Sequence, residues 1–93
     1  MGTWSAIVKI TELSQVFDKK LRVLYPDVNG NWMANFDYGE VMDDGVLIGE
    51  CGRGKSPDAA LKDYASKIAG KRMVFNAYTD QRVELEMPSD LEA

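Results

Sequence analysis

Gly52-Arg53-Gly54-Lys55-Ser56-Pro57-Asp58 decides how this chain is read, because it follows an apolar run, Val46-Leu47-Ile48, and opens a helical pattern. Ser56 can cap a helix N-terminus with its side chain, Pro57 suits the first helical position, and Asp58 falls in the first turn, where a carboxylate meets the positive end of the helix dipole. Ala60, Leu61, Tyr64, Ala65, Ile68 and Ala69 continue as one apolar stripe, with Asp63 and Lys67 paired at i,i+4 on the other side. Gly70 then offers a C-terminal cap. The spacing predicts a helix over residues 57–69.

The residues from Gly49 to Ser56 also match the phosphate-loop pattern G-x-x-x-x-G-K-S, in which backbone N–H groups and a lysine wrap around phosphate. Three features weigh against that reading. Pro57 biases Ser56 away from the helical geometry that a Mg²⁺-binding serine adopts. A chain of 93 residues is short for the multi-stranded parallel sheet of those enzymes. No apolar strand ending in a clear Asp supplies the second metal contact. The capped helix is the preferred reading, and Arg53, Lys55 and Ser56 are retained as a candidate anion-binding group at the helix start.

Outward from this junction, Trp32, Ala34, Phe36 and Tyr38 alternate with Asn31, Asn35 and Asp37, the period of a strand buried on one face. Asp43-Asp44-Gly45 reads as a turn, and the residues from Val46 to Cys51 return as the second arm of a hairpin. Towards the N-terminus, Trp4, Ile7, Val8, Leu13, Val16, Phe17, Leu21 and Leu24 recur at helical spacing. They suggest an amphipathic helix from Thr3 or Ser5 to about Tyr25, where Pro26 ends it. The alternative makes Thr11 an N-cap, extends residues 4–10, and forms a strand at residues 22–25 paired across Asn29-Gly30. Downstream, residues 73–78 read as a strand, Thr79-Asp80-Gln81 as a turn, and Val83, Leu85 and Met87 as alternate positions of another strand. The expected fold is α+β: one domain over residues 1–93, with a small antiparallel sheet of three to four strands packed against two helices in the order α-β-β-α-β(-β).

The chain is 45% apolar with nine aromatic residues, enough to build a core and unlike a disordered segment. Its single cysteine, Cys51, excludes an intramolecular disulfide, and there is no secretory pattern and no apolar run near the roughly 20 residues that span a bilayer. Ala6 occupies the position where N-myristoylation wants a hydroxyl residue. A cytoplasmic protein with no membrane partner is expected. Without histidine, the commonest acid–base residue and imidazole metal ligand are missing, and Cys51 has no partner for a Cys-His pair. No catalytic residue, metal ligand or cofactor is assigned, and the chain reads as a non-enzymatic binding protein.

Charge locates the expected binding surface. The net charge is −4, and between Arg22 and Arg53 there is no Lys or Arg, whereas Asp27, Asp37, Glu40, Asp43, Asp44 and Glu50 lie in that interval. An acidic hairpin carrying Asp37, Tyr38, Glu40, Asp43 and Asp44 is the candidate partner-binding site, suited to a basic groove on a protein. The competing reading is a small nucleic-acid-binding regulator with Arg53, Lys55, Lys71 and Arg72 clustered around the second helix. A nucleotide-binding protein using the loop from Gly49 to Ser56 stands third.

Two resemblances bear on these readings. Gly52-Arg53-Gly54-Lys55-Ser56, with Ala60 and Ala65, resembles the last strand and following helix start of double-stranded-RNA-binding domains, but that family places lysines directly after the serine where this chain has Pro57 and Asp58. Gly52-Arg53-Gly54-Lys55-Ser56-Pro57-Asp58-Ala59-Ala60-Leu61, then Gly70 and Asn76-Ala77-Tyr78, is similar to small uncharacterised bacteriophage and prophage proteins. That resemblance implies a mobile-element origin and the class of inhibitor or adaptor acting on a host macromolecule, with a host protein as partner. It assigns no activity.

Overall fold

In a computed structural model, residues 8–25 and 28–92 are described. Helix α2 (Pro57–Ile68) begins as its sequence dictates: Ser56 is extended at the N-cap, its hydroxyl accepts a hydrogen bond from the Ala59 N–H at 3.1 Å, and Pro57 occupies the first turn. The helix ends one residue earlier than the apolar stripe suggests. Gly70 follows at φ +70°, a left-handed position that a β-carbon would strain, and its N–H donates to the Pro88 carbonyl.

The strand before α2, β6 (Gly52–Gly54), lies directly beneath the helix. A β-carbon on Gly52 would collide with the Ala60 carbonyl oxygen and the Tyr64 backbone nitrogen, and one on Gly54 would come within 2.5 Å of the Ala59 Cβ. The two glycines therefore set the helix–strand approach, a distance no other residue type permits. Strand β6 pairs antiparallel with β3 (Trp32–Phe36), which pairs antiparallel with β2 (Leu21–Leu24), in the order β2-β3-β6. Leu21, Val23, Ala34 and Phe36 share the helix-facing side with the two glycines, because their registers place them opposite one another.

A second antiparallel sheet, ordered β5-β4-β7-β8, holds β4 (Gly39–Asp43), β5 (Val46–Ile48), β7 (Arg72–Phe75) and β8 (Val83–Glu86). A short parallel pair joins β1 (Val8–Lys9) to β9 (Leu91–Glu92). With helix α1 (Ile10–Val16), the class is α+β, with antiparallel sheets of three and four strands and two helices. The core gathers Ile10 and Leu13 of α1, Phe36 of β3, Val41 of β4, Tyr64 and Ile68 of α2, and Met73 and Phe75 of β7, all buried. No helix among the described residues is long and apolar enough to cross a membrane.

The long first helix is corrected. Its expected residues 3–7 lie outside the described residues; of the rest, only Ile10–Val16 are helical, starting from Lys9 at the N-cap in place of Thr11. Asp18 takes φ +53°, and the Ser14 hydroxyl and carbonyl exchange hydrogen bonds with the carbonyl and N–H of Lys19, which stops the helix and turns the chain. Leu21–Leu24 then pair with Met33–Phe36, as the alternative reading had it, so cross-strand burial prevails over a helical spacing that the sequence also carries. The hairpin is likewise more divided than expected. The strand at residues 31–38 stops at Phe36, and β4 intervenes before the Asp44-Gly45 turn, whose φ values of +53° and +82° are those of a tight two-residue hairpin.

Candidate functional site

Two strand ends distant in sequence, those of β3 and β7, create a distinctive surface among the described residues. Between β3 and β4 the chain changes sheet in two residues, Asp37 and Tyr38, and Tyr38 adopts φ +60°. At the end of β7, Asn76 adopts φ +55°. Asparagine tolerates this region, whereas a tyrosine there costs about 1–2 kcal/mol relative to an ordinary conformation. Strain of this kind persists where surrounding contacts over-determine the backbone, and here they do. The Asn76 N–H donates to the Tyr38 carbonyl at 3.1 Å, and the Asp37 N–H donates to the Lys20 carbonyl at 2.8 Å.

The second turn is laced by its own side chains. Thr79 donates through both its N–H and its hydroxyl to the Asn76 carbonyl, and the hydroxyl accepts from the Gln81 N–H. Arg82 caps the Ala77 carbonyl at 3.4 Å while pairing with Glu84 at 3.1 Å. Beneath both turns the core is aromatic. Phe36 and Phe75 meet edge to face at 5.6 Å, and the Phe36 N–H donates to the buried Tyr64 hydroxyl at 3.0 Å. Burial of that hydroxyl raises the Tyr64 pKa to about 12, against the opposing effect of the Phe36 N–H.

Between the turns opens a cleft of about 420 Å³. Its walls include Tyr38 and Tyr78, which are 75% and 87% exposed. Its polar groups are Arg22, Asn35, Asp37, Glu40, Asn76 and Thr79. Arg22 and Asp37 form an ion pair at 3.3 Å, while the half-buried Glu40 has no ion-pair partner among the described residues. The cleft lies within the range of about 300–1,000 Å³ usual for small-ligand sites.

The residues singled out in the sequence separate into groups. Asp37, Tyr38 and Glu40 meet at the cleft. Asp43 and Asp44 sit at the other end of β4, about 13 Å away at the rise of an extended strand, so the acidic residues form two features. Arg53, Lys55 and Ser56 meet at the start of α2, where the Arg53 N–H donates to Asp63 at 2.9 Å and Lys55 reaches the Asn29 carbonyl at 3.5 Å. That N–H holds the Asp63 carboxyl below its ordinary range, with further help from Lys67 at 3.0 Å, so a carboxylate already occupies part of the junction's donor set. Lys71 and Arg72 lie past the other end of a helix about 18 Å long, and Arg72 pairs with Glu84 and Glu86. The basic cluster expected around α2 is not brought together.

Tyr78, Asn76, Asn35, Thr79 and Arg22 were not legible as site residues. Asn76-Ala77-Tyr78 looks like an ordinary strand end, and only the coincidence of two left-handed turns from distant segments makes it a wall. Trp32 stacks on Tyr25 at 4.5 Å and packs against the core, in keeping with a structural role, whereas Trp4 lies outside the described residues. No family model matches the chain, and no curated protein or solved structure matches it.

Proposed function

We propose that this chain is a non-enzymatic binding protein, an inhibitor or adaptor of phage or prophage type, that engages a host protein in the cytoplasm through the cleft between the β3–β4 and β7–β8 turns. The observation that carries this reading is the pair of exposed tyrosines, Tyr38 and Tyr78, on opposite turns of one hydrogen-bonded cleft. Neither ring belongs to the buried core, so neither is needed to fill it. Exposed aromatic residues beside satisfied polar groups are the composition of a binding hot spot, and a preformed backbone lowers the ordering cost of association. The Asp43-Asp44 tip, at the far end of β4 from the cleft, acts at longer range by raising the rate at which a basic partner meets the molecule.

The test begins with capture from a bacterial lysate, followed by association and dissociation rates for the captured partner. Replacing Tyr38 and Tyr78 together by Ala should accelerate dissociation at least tenfold, a loss of about 1.4 kcal/mol or more, as expected of hot-spot residues. The Asp43→Asn, Asp44→Asn pair should slow association and flatten its salt dependence, with little effect on dissociation. Unchanged dissociation in the tyrosine variant would remove the cleft from the interface. Capture of nucleic acid with a steep salt dependence would favour the regulator reading instead.

A further inference from the structure

The chemistry of the cleft narrows what it takes, and this step rests on the cleft being the binding surface. Its lining carries one cation, Arg22, and two carboxylates, Asp37 and Glu40, a net charge of −1. Arg22 and Asp37 satisfy each other at 3.3 Å, leaving Glu40 as the carboxylate without an ion-pair partner among the described residues. Glu40 is half-buried on β4, two residues from Tyr38, so its position is fixed by the ladder that pairs it with Val74. A carboxylate without an ion-pair partner, in a cleft that two tyrosines also line, is suited to a flat cation. A guanidinium stacks on aromatic faces through their quadrupoles and donates two parallel hydrogen bonds to one carboxylate. Asn35 and Asn76 line the same cleft, and a side-chain amide is a neutral acceptor for its remaining N–H groups.

The geometry points to an arginine side chain of the partner protein as the group seated in this cleft, stacked against Tyr38 and Tyr78 with Glu40 as its counter-ion. Lysine fits less well. Its ammonium is a strongly hydrated point charge that neither stacks nor bonds in a fork. The cleft's volume of about 420 Å³ also exceeds that of a guanidinium group, and its paired Arg22 and Asp37 contribute no net charge to attract a second ion.

Blocked tripeptides carrying arginine, lysine or citrulline at the centre are titrated into the isotope-labelled protein at concentrations up to about 10 mM, a range that detects weak side-chain binding. Citrulline preserves the shape and removes the charge. Amide shifts should concentrate on residues 37–40 and 76–79, with arginine binding about tenfold more tightly than citrulline and more tightly than lysine. Glu40→Gln should remove most of that preference while leaving the denaturation midpoint within error, since the side chain lies outside the buried core. Equal affinity for citrulline, unchanged arginine binding by Glu40→Gln, shifts confined to another surface, or no shifts at all would each overturn the arginine assignment. A captured partner that still depends on Tyr38 and Tyr78 in that event would leave the cleft as the interface and remove only its proposed occupant.

Discussion

The β6–α2 junction and the cleft between the β3–β4 and β7–β8 turns both contain residues that look unusual, yet they are unusual for opposite reasons. At the junction, Gly52 and Gly54 are small because the helix backbone leaves no space for a β-carbon, and Ser56 spends its hydroxyl on the Ala59 N–H. Those features are accounted for by packing and capping. At the cleft, Tyr38 holds a left-handed backbone in a residue that is 75% exposed, so the strain is not repaid by burial. The glycines and serine of a motif that stands out in sequence can thus serve packing and capping, while a surface assembled from two separate turns keeps exposed side chains that the fold does not account for.

The largest expected effect breaks the junction. Gly52→Ala drives its methyl group into backbone atoms of α2, which cannot rotate away as a side chain would. A loss of about 3 kcal/mol or more is expected, a large share of the roughly 5–15 kcal/mol that holds a small domain together. Urea denaturation measures it, and an unchanged midpoint would mean that the helix does not rest on this strand.

Tyr64 connects the two regions, since it rises from α2 and accepts the Phe36 N–H just before the Asp37-Tyr38 turn. Tyr64→Phe leaves that N–H unpaired and should cost about 1–3 kcal/mol at neutral pH. Its alkaline behaviour gives a second readout. Because the folded-state pKa is raised from 10.0 to about 12, the unfolded chain loses its proton first. Stability from this group is present in full below pH 10 and falls between about pH 10 and 12, by at most about 1.4 kcal/mol per pH unit. Tyr64→Phe should show a flatter decline over that window in urea midpoints. Parallel declines would place the wild-type hydroxyl in water.

Much of the fold could be read from the residues. The α2 cap, its apolar stripe, the Gly70 terminus and the Asp44-Gly45 turn each depend on neighbours within a few positions, where capping and glycine conformations act directly. Residues 10–25 were harder, because Leu13, Val16, Phe17, Leu21 and Leu24 fit one helix by spacing, whereas Leu21 and Val23 also fit a strand facing α2. Only pairing with residues 33–36 decides between them, and that contact is distant along the chain. Strand β4 was hidden for a related reason: Gly39 and Glu40 resemble turn residues until Gly39 is placed opposite Phe75, with the aromatic ring 2.9 Å from where its β-carbon would be.

The candidate site was legible by half. Asp37, Tyr38 and Glu40 drew notice because they lie in a stretch without basic residues, and they do converge. Asp43 and Asp44 shared that stretch but are carried to the other end of β4, since charge along a sequence does not record strand direction. Tyr78 stood out only as the end of an expected strand and of the Asn76-Ala77-Tyr78 resemblance, whereas the strand ends at Phe75. Its role depends on Asn76 reversing the chain beside Tyr38, a meeting fixed by the β4–β7 register.

Tyr38→Gly tests the separation of fold from binding most directly, because glycine accepts the left-handed backbone and removes the ring. Relief of strain worth about 1–2 kcal/mol opposes the greater chain entropy of glycine, about 0.5–1 kcal/mol, so the variant should match or slightly exceed the wild type in urea denaturation. Binding to the captured partner, measured on the same preparation, should weaken at least tenfold. Retained binding would take Tyr38 out of the interface, and a stability loss of several kcal/mol would make it part of the scaffold; either result would contradict the account.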